Sequence, residues 1–150
     1  MLGCDMGRIH QQPLWVSMGI VRALPRDRIV SHRRANFLRY LGHFQDVDSA
    51  RPLVAHLPPD AVPYVFPLWV DDADRVYGSL RRAGAPVFRW DHIWPGTPRL
   101  PGDHGLLWSR HVLQMLCHQD LSFDDIDRVS AFTAGQLGRH TAVGLAEGTT

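Results

Sequence analysis

Not one of the sixteen basic residues in this chain of 150 is a lysine. All are arginine, so no side chain offers an amine nucleophile, and the guanidinium, which stays protonated, cannot replace one. Surplus charge is missing too. Sixteen arginines against fifteen acidic residues leave a net charge of +1, with the signs interspersed. Nothing electrostatic therefore points to nucleic acid or to an anionic membrane. No apolar run is long enough to cross a bilayer, and Met1-Leu-Gly-Cys-Asp-Met-Gly-Arg is not an apolar leader. The expected location is the cytoplasm. Cysteine is scarce: Cys4 and Cys117 are far apart, which favours two separate thiols over a disulfide or a metal pair. No internal repeat is present.

What is there suits one globular unit. Hydrophobic residues make up 45% of the chain, enough for a core at this length. The most organised stretch runs from Ala61 to Gln119. It holds three apolar runs, at Val62–Val70, Pro86–Trp90 and Val112–Cys117, separated by helical patterns. These are expected to form the three strands of a small sheet. Pro63 and Pro67 cannot donate to a ladder, so the first strand is expected at an edge or bulged.

Upstream, Leu14, Met18 and Val21 recur at helical spacing until Pro25 stops them. Asp27 is then expected to cap a second helix with Val30, Phe37, Leu41 and Phe44 in one stripe. Arg33, Arg34 and Arg39 fall off that stripe as a polar face. Gln45–Asp60, with three prolines, reads as a loop. Asp71 or Asp72 caps the helix after the first strand, with Asp74 at its positive end. Val76, Tyr77, Leu80 and Ala83 form its inner face, and Gly84 ends it in the left-handed region. Asp91–Gly102 is a stiff loop with three prolines and two glycines, and a short helix at His104–Arg110 follows it. Ser122 and Asp125 make a capping box for a last helix facing inward through Ile126, Val129, Phe132 or Thr133, and Leu137. The tail from Gly138 is expected to fray. The fold class is α/β, built as an α+β two-layer unit: a small three-stranded sheet packed by helices behind a long N-terminal linker helix pair.

This order resembles the C-terminal small domain of fold-type I pyridoxal-phosphate enzymes, in particular the DegT/DnrJ/EryC1/StrS aminotransferase family. Arg33-Arg-Ala-Asn-Phe-Leu-Arg-Tyr-Leu is similar to the family's long helix into that domain. Pro63-Tyr-Val-Phe-Pro-Leu-Trp-Val-Asp-Asp is similar to its first strand, and Val76-Tyr-Gly-Ser-Leu-Arg-Arg-Ala-Gly-Ala-Pro-Val to the following helix and turn. Ser109–Ile126 is similar to a segment of the form L-P-x-[HY]-x-x-L-[ST]-x-x-[DE]-[IV], with Cys117 or Leu116 standing where proline is usual. The likeness covers residues 11–137. It implies residues 1–26 as lead-in and first linker helix, residues 27–140 as the small domain and residues 141–150 as a flexible tail.

The resemblance also implies partners and chemistry. A pyridoxal 5'-phosphate-binding large domain, which this chain lacks, would carry the cofactor and the lysine that holds it, and the complete enzyme would be a homodimer. With no lysine, the isolated chain is expected to hold no cofactor and to have no catalytic residue. Arg8, in Met6-Gly-Arg-Ile-His, is the one cofactor-contact candidate. It matches the arginine of an Asn-x-Arg element that reaches a cofactor phosphate, although the asparagine is missing. Arg89, Trp90, His92 and Trp94 follow the second strand, where the family faces its substrate entrance. They offer a cation and flat apolar faces to a polar ligand. Against this stands packing of Trp90 and Trp94 at a domain interface, with Arg89 paired to Asp91.

Other chemistry is weaker. Asp103, His104, His111 and His118 lack metal-binding spacing and read as surface residues. Cys117 and His118 are neighbours on a strand and point to opposite faces, and Ser109 has no nucleophile elbow. The rival to the aminotransferase-like reading is a free-standing α+β protein-interaction domain.

Overall fold

The computed structural model describes residues 7, 12, 14–90 and 92–146, with 139–146 given by their backbone alone. The order is α1 (Trp15–Ala23), α2 (Arg26–Phe44), β1 (Ala50–Pro52), β2 (Val65–Val70), α3 (Ala73–Arg82), β3 (Val87–Arg89), α4 (Gly105–His111), β4 (Val112–Leu116) and α5 (Phe123–Ala146). The strands form one antiparallel sheet in the order β1-β2-β4-β3. Helices α2 and α3 pack on the sheet, and α5 packs across both, closing one core with it.

The three expected strands share this sheet, which is the α+β arrangement read from the sequence. The sheet has a fourth strand, however, inside the stretch expected to be a loop. Strand β1 pairs Ala50 with Val70 and Pro52 with Leu68, and so moves β2 from the edge to the interior. Pro67 survives there because its carbonyl accepts from Leu53 N at 3.0 Å. In an extended residue N–H and C=O point to the same side, so the donor that Pro67 lacks faces the end of short β1 and the β2–β4 ladder stays whole. By the same alternation Pro52 turns its ring nitrogen to the outer edge of the sheet, where proline is tolerated.

Register decides which residues meet the helices. Phe66, Leu68 and Val70 of β2, Leu113 and Met115 of β4, and Val87 of β3 lie on one face and are buried. Phe66 is the centre. Its ring is edge-on to Phe37 at 5.0 Å and stacked with Tyr40 at 5.5 Å and Phe44 at 6.2 Å. Full burial is worth about 1.5–3 kcal/mol for each such ring, so this cluster outweighs any single polar tie in the domain. Tyr40, which the spacing did not single out, is buried on α2 as fully as Phe44, while Leu41 is half-buried against the same cluster.

The capping chemistry holds in two places and fails in one. Asp72 accepts from Arg75 N at 3.3 Å to start α3. Ser122 and Asp125 exchange bonds, Ser122 N to Asp125 Oδ2 at 3.0 Å and Asp125 N to Ser122 Oγ at 3.2 Å. Asp27, by contrast, sits inside the first turn of α2, whose N-cap is Pro25. Gly84 ends α3 at φ +77°. The backbone of α5 continues past Leu137 to Ala146.

The arginines off the α2 stripe hold distant chain. Arg33 Nε donates to Gln119 Oε1 at 2.9 Å. Arg34 donates to the Pro58 and Ala61 carbonyls at 2.8 and 2.7 Å, pinning the loop before β2. Arg39 grips both carboxylate oxygens of Asp127 on α5.

Candidate functional site

Beyond β3 the chain leaves the sheet in a loop that returns as α4. Two tight turns shape it. Thr97 N donates to Trp94 O at 3.1 Å, and Asp103 N to Leu100 O at 3.1 Å. Gly96 at φ +85° and Gly102 at φ +80° take the left-handed positions these turns need. Asp103 then accepts from Gly105 N at 2.7 Å, satisfying a donor in the first turn of α4. Loop and helix enclose a cleft of about 380 Å³ lined by Ile93, Trp94, Thr97, Arg99, Asp103, Leu106 and Ser109 among others.

Of the four residues singled out after the second strand, Trp94 lines this cleft. It is 84% exposed, so its indole presents a face to whatever enters. Trp90 and His92 are exposed on the approach to the loop.

Arg89 occupies a different setting. Its side chain is 4% exposed, directed inward by its pairing with Leu113 on the core-facing side of the sheet. One nitrogen donates to the carbonyls of Ser109 at 2.7 Å and Arg110 at 3.0 Å, in the last turn of α4. Another meets the carboxylate of Asp74, in the first turn of α3. A cation at a helix C-terminus satisfies orphan carbonyls and opposes the negative end of the dipole. Arg89 thus ties three elements together under the cleft and fixes where α4 stands. Asp91 and Arg8 lie outside the described residues.

Arg99, Thr97 and Leu106 were missed from sequence. The signal available was the paired turn chemistry of Pro95-Gly96 and Pro101-Gly102 around them. Ser109 is local in its bonding: its hydroxyl donates back to Leu106 O at 2.8 Å. A second polar cluster lies on the other face of the sheet. The Trp69 ring stacks on His111 at 4.4 Å, and Arg51 sits 4.7 Å from the Trp69 centroid. His111 Nδ1 lies 3.2 Å from Val70 O. Burial pushes the Cys117 thiol up to about 12, so it is a packed, unreactive group at neutral pH. Among the described residues, no cluster of three or more His, Cys, Asp or Glu is arranged to hold a metal ion, and no helix is long and apolar enough to cross a membrane.

No protein-family model and no curated protein matches the sequence. Solved structures do match the fold. The aminotransferase TlmJ from Streptoalloteichus hindustanus superposes with a TM-score of 0.66 at 25% identity, covering 83% of this chain and 36% of TlmJ. DesV from S. venezuelae, solved with a ketimine intermediate, gives 0.66 at 17% identity, over 79% of this chain and 34% of its own. A DegT DnrJ EryC1 StrS aminotransferase from Brucella abortus gives 0.60 at 19% identity, over 73% and 31%. This chain has the fold of part of a DegT/DnrJ/EryC1/StrS-type aminotransferase. It spans about a third of the length of the enzymes it resembles.

Proposed function

We propose that this chain is the C-terminal small domain of a pyridoxal-phosphate-dependent aminotransferase-like protein, where it covers the active site and shapes substrate access. The observation that carries this is the superposition on TlmJ, extensive on this chain and limited to 36% of the other. The partner it calls for is a large domain that binds the cofactor, in a protein that is a homodimer when complete.

Pyridoxal phosphate does not fit the residues present. The chain has no lysine, buried Arg89 already serves Asp74 and two carbonyls, and the arginine on the cleft wall, Arg99, stays protonated and cannot stand in for a lysine. No chemical step of transamination is derived through this chain. Its own contribution is shape and exclusion of water. Trp94, with Trp90 and His92 on the approach, offers flat surfaces to a polar ligand. Arg89 acts on that ligand through the wall of the cleft, by holding α4 in place. Arg8 is assigned the cofactor phosphate of the complete protein.

The rival, a free-standing interaction domain, predicts a continuous polar surface. Here Leu14 and, on α1, Trp15 and Ile20 are exposed, as are Trp90 and Trp94 of the loop, which favours a domain shaped to meet more protein. A chimera tests the proposal: the matched third of TlmJ is replaced by this chain. The expected product folds, binds pyridoxal phosphate through the rest of the chimera, and changes KM for the aminotransferase substrate when Trp94→Ala is added. A folded chimera with no cofactor spectrum, or a KM indifferent to Trp94, overturns it.

A further inference from the structure

The cleft between the loop after β3 and α4 has two charged side chains in its wall, Arg99 and Asp103. They do not pair. Asp103 Oδ1 accepts from Gly105 N at 2.7 Å, while Arg99 makes no hydrogen bond or ion pair among the described residues. Arg99 stands between two turns of the same make, Trp94-Pro-Gly-Thr and Leu100-Pro-Gly-Asp. Each is closed by a bond from its fourth residue to its first. Pro98 and Pro101 fix φ close on either side of it. The guanidinium is thus presented from a backbone that has little left to order when a ligand arrives.

We propose that this cleft takes a hydroxylated ring bearing one carboxylate, and that Arg99 is the residue that selects it. The planar fork of an arginine matches a carboxylate through two parallel bonds. The exposed indole of Trp94 offers a flat face to the ring. Asp103 Oδ2 has no partner among the described residues and accepts from a ring hydroxyl. Charge argues against a diphosphate. The wall holds one cation and one carboxylate, so Arg99 can meet a single negative charge. A second charge on the ligand would face Asp103 with no cation to balance it. The volume, about 380 Å³, is at the low end for small-molecule sites and suits one ring better than a nucleotide-linked one. This inference rests on the reading of the cleft as the side that faces substrate, and narrows that substrate to an acid.

The test is a titration of the full chain with glucose, glucuronate, glucose 6-phosphate and thymidine-diphosphate-glucose, followed by magnetic resonance at the indole N–H of Trp94. Glucuronate should bind about tenfold more tightly than glucose, as one charge-assisted pair allows, and more tightly than either phosphate. Arg99→Ala should erase that preference and leave glucose binding as it was. Arg99→Lys should restore part of it, since the charge returns without the fork. Asp103→Asn, which keeps an acceptor for Gly105 N, should improve the phosphates relative to glucuronate. Arg99 and Asp103 are both exposed, so these variants should keep the fold and its circular dichroism. A phosphate that binds more tightly than glucuronate overturns the proposal. So does a preference that survives Arg99→Ala, or a Trp94 signal that none of the four compounds moves at millimolar concentration. The titration needs no cofactor. Its failure beside a TlmJ chimera that binds cofactor and responds to Trp94→Ala sinks this inference alone, whereas a chimera without a cofactor spectrum sinks the domain reading.

Discussion

Helices α1 and α2 are neighbours in sequence, joined through Leu24 and Pro25, yet they live in opposite environments. Helix α1 has one charged residue in nine and buries none. Helix α2 is studded with arginine and histidine, and it buries Asn36, Phe37, Tyr40 and Phe44. Hydrophobicity averaged over a helix therefore does not say whether it is inside. What decides is whether side chains such as Phe37, Tyr40 and Phe44 fall on the side that faces Phe66. The arginines of α2 strengthen the point: they leave the core stripe to the aromatics and reach outward to tie loops and α5.

The strongest challenge to this contrast is Phe66→Ala. It removes the ring that Phe37, Tyr40 and Phe44 close upon, and should cost about 3–5 kcal/mol in urea unfolding. A cost no larger than a surface substitution would mean that α2 is held by its arginines instead. Next comes Arg89→Met, which keeps volume and deletes the charged donors. It should cost about 1.5–3 kcal/mol and also raise amide exchange through the loop 92–104, since α4 loses its tie to β3. Exchange confined to Asp74 and α3 would place the tie elsewhere. Asn36→Ala should cost about 1–3 kcal/mol, because Asn36 Nδ2 donates to His118 O at 2.8 Å and Leu121 O at 3.3 Å.

A gentler test uses acid. Hydrogen bonds from Arg39 and then His43 hold the Asp127 carboxyl well below the usual carboxylate range. A carboxylate depressed in the folded state stabilises above its unfolded pKa, about 3.9, and that contribution fades as pH falls toward the folded value. Stability should therefore drop on acidification below about pH 4, and Asp127→Asn should flatten that part of the profile. The smallest effect is expected from Trp15→Ala. It should change stability by under about 0.5 kcal/mol. A larger loss would show that α1 is packed within its own chain, and the contrast with α2 would fail.

Much of the fold was legible because local chemistry and tertiary need agreed. Asp72, the Ser122–Asp125 box and Gly84 each announce a helix end by a mechanism that works in any context. Strands β2, β3 and β4 showed within apolar runs. Strand β1 did not, since two of its three residues are an arginine and a proline, in a stretch with two further prolines. Missing it also misplaced β2, because the harm done by Pro67 depends on what lies on the side its nitrogen faces. Tyr40 was missed for a related reason: Leu41 fits the same spacing, and only the position of Phe66 shows that the core reaches both. In the site, the aromatic exposure of Trp94 followed from its loop. The burial of Arg89 did not, because its partners Asp74, Ser109 and Arg110 come from two other helices and no sequence spacing links them.

The proline that ends β1 has a consequence for how the chain behaves in a crowd. A strand arriving from another molecule needs an unbroken row of rungs to zip onto an open border, and Pro52 removes one from a border only three residues long. Fibrillar growth from that side is starved of templating contacts before it begins.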